Sequence, residues 1–82
     1  MFIGQCKVTY VGPTVSGPTE VKLRPQDNAF TEAFFVSSPG VAREVLATAL
    51  AAITSNRLVF CEIPNENTPY TEITRILLDN NS

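Results

Sequence analysis

The sequence predicts a mainly β domain with one α-helix, in the order three strands, helix, two strands. Several short stretches alternate apolar and polar residues with the period of two that half-buried strands show. One stretch only, from Ser38 to Thr54, is long and periodic enough for a helix. Clusters of Gly, Pro and Asn separate the stretches, as turns require.

The first strand spans Phe2 to Val11, where Gln5, Lys7 and Thr9 alternate with Cys6, Val8 and Tyr10. Residues Gly12 to Pro18 hold two Gly and two Pro and form a turn. Thr19 to Arg24 is the second strand, with Val21 and Leu23 on one face and Glu20, Lys22 and Arg24 on the other. Residues Pro25 to Asn28 turn the chain again. Phe30 to Val36 is the third strand, with Phe30, Glu32 and Phe34 on one face and Thr31, Ala33 and Phe35 on the other.

The helix opens at Ser38, whose hydroxyl suits the cap, and at Pro39, whose missing N–H costs nothing in the first turn. It runs to about Thr54, with Asn56 as a left-handed stop and Arg57 near the negative end. Leu58 to Ile63 is the fourth strand, Pro64 to Pro69 a turn, and Tyr70 to Leu78 the fifth strand. Asp79 to Ser82 is a polar tail. Three meandering strands, a helix and a hairpin follow the order of a five-stranded OB-fold barrel, here one domain over residues 1–82. An Sm-like barrel needs a helix ahead of the first strand, and a ferredoxin-like fold needs two helices.

Projected at 100° per residue, the helix carries an apolar stripe about 180° wide, where capping a small barrel takes little more than about 100°. The stripe has two lobes. Val41 and Val45 form one, Leu46, Leu50 and Ile53 the other, with Ala42 and Ala49 between them. One lobe is expected to pack on the barrel and the other on a neighbouring chain. The expected interface set is Val41, Val45, Leu46, Ala49, Leu50 and Ile53. A broad face buried within one chain is the alternative.

Composition points the same way. The chain has 82 residues, 44% of them hydrophobic and 17% charged. That charge is below the usual share of about 25%, and a small domain with a sparsely charged surface often hides part of it against a partner. The net charge is −2 and the pI near 4.9, which opposes nucleic acid as the main partner. No histidine is present, so no His-based metal site, Ser–His–Asp triad or Cys–His nucleophile can be built. The chain therefore reads as a non-enzyme without cofactor or metal. No run of about 18 apolar residues exists, so no membrane-spanning helix is expected. The residues from Met1 to Cys6 lack the pattern of a signal peptide.

Several smaller features allow more than one reading. Phe30, Phe34, Phe35 and Tyr10 could form a stacking platform for bases or sugars, although most are expected in the core. Lys7, Lys22 and Arg24 could line a basic strip, but Glu20 interrupts it. Glu62, Glu66 and Glu72 lie near one hairpin, yet their spacing matches no dedicated calcium loop. Asn80-Asn81-Ser82 fits the glycosylation pattern at the end of the sequence. Cys6 and Cys61 are either two buried thiols or a bridge. A bridge would close a long loop and stabilise the fold by roughly 4 kcal/mol. It would imply a secreted or periplasmic protein, and free thiols a cytoplasmic one.

The segment from Cys61 to Ile73, Cys61-Glu62-Ile63-Pro64-Asn65-Glu66-Asn67-Thr68-Pro69-Tyr70-Thr71-Glu72-Ile73, combines a strand cysteine, an Asn-rich turn, a Thr-Pro pair and a returning strand. With the helix ahead of it, it resembles the carboxy-terminal part of the pentameric B subunits of the cholera-toxin and heat-labile-enterotoxin type. The resemblance covers roughly residues 38–78 by pattern, and the front half by Cys6 and strand order. It implies a pentameric ring that binds a glycan or small molecule, and a Cys6–Cys61 pairing. Where that family places a sugar-contacting Trp and Lys, this chain has Ile63 and Asn67. Ganglioside-type recognition is therefore not implied. The alternative functions are an OB-fold module for single-stranded nucleic acid and a purely structural assembly protein.

Overall fold

A computed structural model describes residues 1–15 and 17–79. The chain forms β1 (Phe2–Pro13), β2 (Thr19–Pro25), β3 (Ala33–Ser37), a 3₁₀ turn (Pro39–Val41), α1 (Ala42–Ser55), β4 (Leu58–Ile63), β5 (Glu72–Ile73) and β6 (Arg75–Leu78). It is mainly β with one helix, three strands preceding the helix and three following it. The strands make one mixed sheet in the order β5-β3-β2-β1-β4-β6. All neighbours are antiparallel except β3 and β5, which run parallel with Val36 opposite Glu72 and Ser37 opposite Ile73.

The strands differ from the expected five-stranded barrel in number and closure. The fifth strand, expected over Tyr70–Leu78, is two short strands broken at Thr74, and the six-stranded sheet is not closed. The break has a local cause. Thr74 turns both its backbone N–H and its hydroxyl to the Glu62 carbonyl oxygen, each at 3.0 Å. Residues before it pair with β3 and residues after it pair with β4. The two outermost strands of the sheet are thus consecutive in the chain.

The third strand is also shorter than expected. It starts at Ala33, because Asp27 Oδ1 accepts the Ala29 N–H at 3.0 Å and Asn28 takes a left-handed φ of 60°. That turn lets Phe30 leave the strand alternation and enter the core, edge-on to Phe2 at 4.9 Å and to Phe35 at 5.5 Å. Such ring pairs add about 0.5–1.5 kcal/mol beyond the area they bury.

The core lies between the inner face of the sheet and α1. Val21, Leu23, Phe35, Val59, Ile63, Cys6 and Cys61 are fully buried there, with Val45, Ala49 and Ala52 from the helix. Burying each large one stabilises the fold by about 1.5–3 kcal/mol relative to exposure.

Ser38 does not cap the helix with its side chain. Its carbonyl instead accepts the Val41 N–H at 3.2 Å, closing the 3₁₀ turn. The start of α1 is held from outside: Thr19 Oγ1 donates to the Ala42 carbonyl at 2.7 Å, and the Thr19 N–H donates to Ser37 Oγ at 2.9 Å. The end is as expected. Asn56 is left-handed at φ 55°, its N–H bonds the Ile53 carbonyl at 3.3 Å, and the Arg57 N–H bonds the Ala52 carbonyl at 2.9 Å. This pair of bonds is a Schellman stop.

Candidate binding surface

The outer face of β1, β2 and β3 carries a row of aromatic residues. The register sets Tyr10 opposite Lys22 and Lys22 opposite Phe34. Two backbone irregularities complete the row. The first is a bulge in β1 between Val8 and Tyr10, where Thr9 has no partner of its own. The extra residue reverses the alternation. Cys6 and Val8 point inward before it, and Tyr10 points outward after it, 49% exposed.

The second irregularity is Tyr70, held at φ 63°. A bulky aromatic residue in the left-handed region is an outlier that surrounding contacts must hold in place. Here the Tyr70 N–H donates to the Phe34 carbonyl at 2.8 Å. Tyr70 is 56% exposed, and its ring stacks on Phe34 at 5.9 Å with 2° between the planes. Tyr10 meets Phe34 edge-on at 5.4 Å.

Polar groups border the row. The Lys22 ammonium lies 5.2 Å from the Phe34 ring centre and 3.6 Å from Glu32 Oε2. Thr9 Oγ1 donates to the same Glu32 oxygen at 3.0 Å. The next row of the outer face is Gly12, Glu20, Val36 and Glu72, each opposite the one before. The surface therefore combines ring faces, the Lys22 ammonium, the Thr9 hydroxyl, two phenol hydroxyls and three carboxylates.

The four aromatic residues named from sequence divide evenly. Phe30 and Phe35 are core, whereas Tyr10 and Phe34 are on this surface. Tyr70 was missed, because Pro69-Tyr70 reads only as a point where pairing restarts. The bulge did leave a signal: the apolar residues change from even positions, Cys6 and Val8, to an odd one, Val11.

The six helix positions expected at an interface also divide. Val45 and Ala49 are core residues, because their lobe packs on the sheet. Leu50 and Ile53 stay 45% and 39% exposed, with Leu46 half-buried beside them and Val41 exposed at the helix start. Among the described residues the Leu46–Leu50–Ile53 lobe is only partly covered. Shallow clefts flank the helix. One of about 210 Å³ lies between Val41, Glu44 and Thr48 and the Ile73–Ile76 segment. Another of about 310 Å³ is lined by Lys7, Thr9, Ile53 and Arg57.

Cys6 and Cys61 are on adjacent strands but are not directly opposite: Cys6 faces Val59, and Cys61 faces Gly4. Both are buried, free thiols, and no disulfide joins them. A hydrogen bond with Cys6, reinforced by burial, pushes the Cys61 thiol well above the usual thiol range.

The remaining candidates do not converge. Glu62 accepts from Thr74 Oγ1 at 3.2 Å, Glu66 lies 3.3 Å from the Met1 ammonium, and Glu72 is opposite Val36. Among the described residues no acidic or thiol group is gathered for a metal ion. Lys7 is opposite Arg24, while Lys22 turns to Glu32. Among the described residues no helix is long and apolar enough to cross a membrane. Asn80-Asn81-Ser82 lies outside the described residues, as do Ser16 of the first turn and most of the polar tail. Comparison with protein-family models, with curated proteins and with solved structures gives no match for this chain.

Proposed function

We propose that the chain is a non-catalytic binding protein of OB-fold type that assembles with copies of itself, in the manner of the toxin B subunits it resembles. One observation carries the assembly: of the broad apolar stripe of α1, Val45, Ala49 and Ala52 are buried within the chain, whereas Leu50 and Ile53 are exposed. A second copy laid on Leu46, Leu50 and Ile53 would remove that apolar area from water, at about 25 cal/mol per Å². A ring, with five copies as the resemblance implies, would present one binding surface several times and raise avidity for a repetitive glycan or a small molecule displayed in many copies.

The barrel reading is supported by the order β5-β3-β2-β1-β4-β6, with β5 and β6 taken as one strand bent at Thr74. The parallel pairing of the third and last strands fits the same reading. A module for single-stranded nucleic acid gains support from the aromatic row but is opposed by Glu20, Glu32 and Glu72 around it.

The experiment is the molar mass in solution by light scattering. The parent is expected as a homo-oligomer, and Leu50→Glu as a folded species of lower mass. A parent that stays monomeric at high micromolar concentration overturns the assembly.

A further inference from the structure

We infer that the outer row Tyr10–Phe34–Tyr70 is a carbohydrate site, in which exposed tyrosine rings stack on pyranose rings and Glu32, Lys22 and Thr9 bond their hydroxyls. This deepens the binding reading above and rests on it.

The first support is that separate backbone devices converge on one patch. The β1 bulge turns Tyr10 outward, the register places Lys22 and Phe34 beside it, and the left-handed Tyr70 brings the last ring onto Phe34. Bulges and left-handed bulky residues both carry a cost, and both gather where a fold aims side chains at a ligand. Phe34 is the supporting ring, contacted by Tyr10, Tyr70 and Lys22, while the two tyrosines at the ends of the row keep exposed faces.

The second support is chemical. A pyranose presents C–H groups on its faces and hydroxyls on its edges. The faces suit aromatic rings, and the hydroxyls suit an acceptor and a donor held together. Glu32 and Lys22 are such a pair at 3.6 Å, with the Thr9 hydroxyl 3.0 Å from the same carboxylate. Their charges cancel locally, and Glu20 and Glu72 lie in the next row. That balance favours a neutral, hydroxyl-rich ligand and opposes a phosphodiester chain. Lys22 already lies over the Phe34 ring, the position a quaternary ammonium ligand would need.

The test is calorimetric titration of the whole chain with cellotetraose, maltotetraose and chitotetraose, with tyrosine fluorescence as a second readout. Saturable binding of at least one tetrasaccharide is expected. Tyr70→Gly, which keeps the left-handed backbone, and Tyr10→Ala are each expected to weaken it about tenfold, and Leu50→Glu to leave its intrinsic affinity unchanged. Circular dichroism confirms that each variant is folded. No saturation by any tetrasaccharide at millimolar concentration overturns the site. So does binding that survives both tyrosine changes, or a preference for oligothymidylate, choline or a proline-rich peptide. Mass measured on the same samples separates the two proposals. A monomer that binds sugar removes the assembly and keeps the site, and an oligomer that ignores sugar does the reverse.

Discussion

Tyr70 and Phe34 are joined twice: backbone to backbone at 2.8 Å and ring on ring at 5.9 Å. The first contact fixes the left-handed turn, and the second gives that turn a surface consequence. Tyr70→Gly should relieve about 1 kcal/mol of backbone strain and lose a ring stack of similar size. Urea denaturation should therefore place it within about 1 kcal/mol of the parent. A loss of several kcal/mol would show that the ring holds the fold together rather than serving the surface.

The two lobes of α1 should respond differently to charge. Val45 is 3% exposed, so Val45→Glu buries an unpaired carboxylate and should unfold the domain, at a cost of several kcal/mol. Leu50→Glu meets solvent and should leave the circular dichroism spectrum folded. Equal damage from both would mean that Leu50 is covered by its own chain.

Asn56 ends the helix in a conformation that costs most L-residues about 1–2 kcal/mol. Asn56→Ala should lower stability by about 1 kcal/mol, and Asn56→Gly should match or exceed the parent. Thermal melts of the three proteins give the order directly.

Ser37→Ala should be costlier than its small volume change suggests. It leaves the buried Thr19 N–H without the acceptor it now has at 2.9 Å. An unsatisfied buried donor costs about 1–3 kcal/mol. Chemical denaturation checks it, and a change below about 0.5 kcal/mol would argue that water replaces the hydroxyl.

Stability should also fall in alkali. The Cys61 thiol is raised by its hydrogen bond with Cys6 and by burial, so the folded chain keeps a proton that the unfolded chain releases above about pH 8.5. Above that value the unfolded state binds fewer protons, and stability drops by up to about 1.4 kcal/mol per pH unit. Below it the contribution is fully present. Denaturation in reductant at about pH 8 and about pH 10 should show this slope in the parent and a shallower one in Cys61→Ala.

The element order was legible because local signals agree with the fold. The Leu58–Ile63 strand matches its structural bounds, and the Asn56 stop is where a left-handed residue is needed. The misses arose where long-range contacts override local pattern. Phe30 continues an alternating run, but it leaves the strand to meet Phe2, far away in sequence. Ser38 has the chemistry of a cap, but a backbone bond closes the turn and Thr19 secures the helix from another strand. Of the aromatic surface, Tyr10 and Phe34 were nameable from sequence. Their union with Tyr70 depends on a positive φ that Pro69-Tyr70 does not announce.

The bend at Thr74 bears on how the chain is made. Synthesis proceeds from the amino terminus, and residues 72–78 supply the flanking partner for both β3 and β4. Until that stretch leaves the ribosome, two strand edges stand open at once. Open edges are templates for pairing with another chain. The nascent chain thus carries the outer edges of β3 and β4 unpaired together, and both gain a partner only when residues 72–78 emerge.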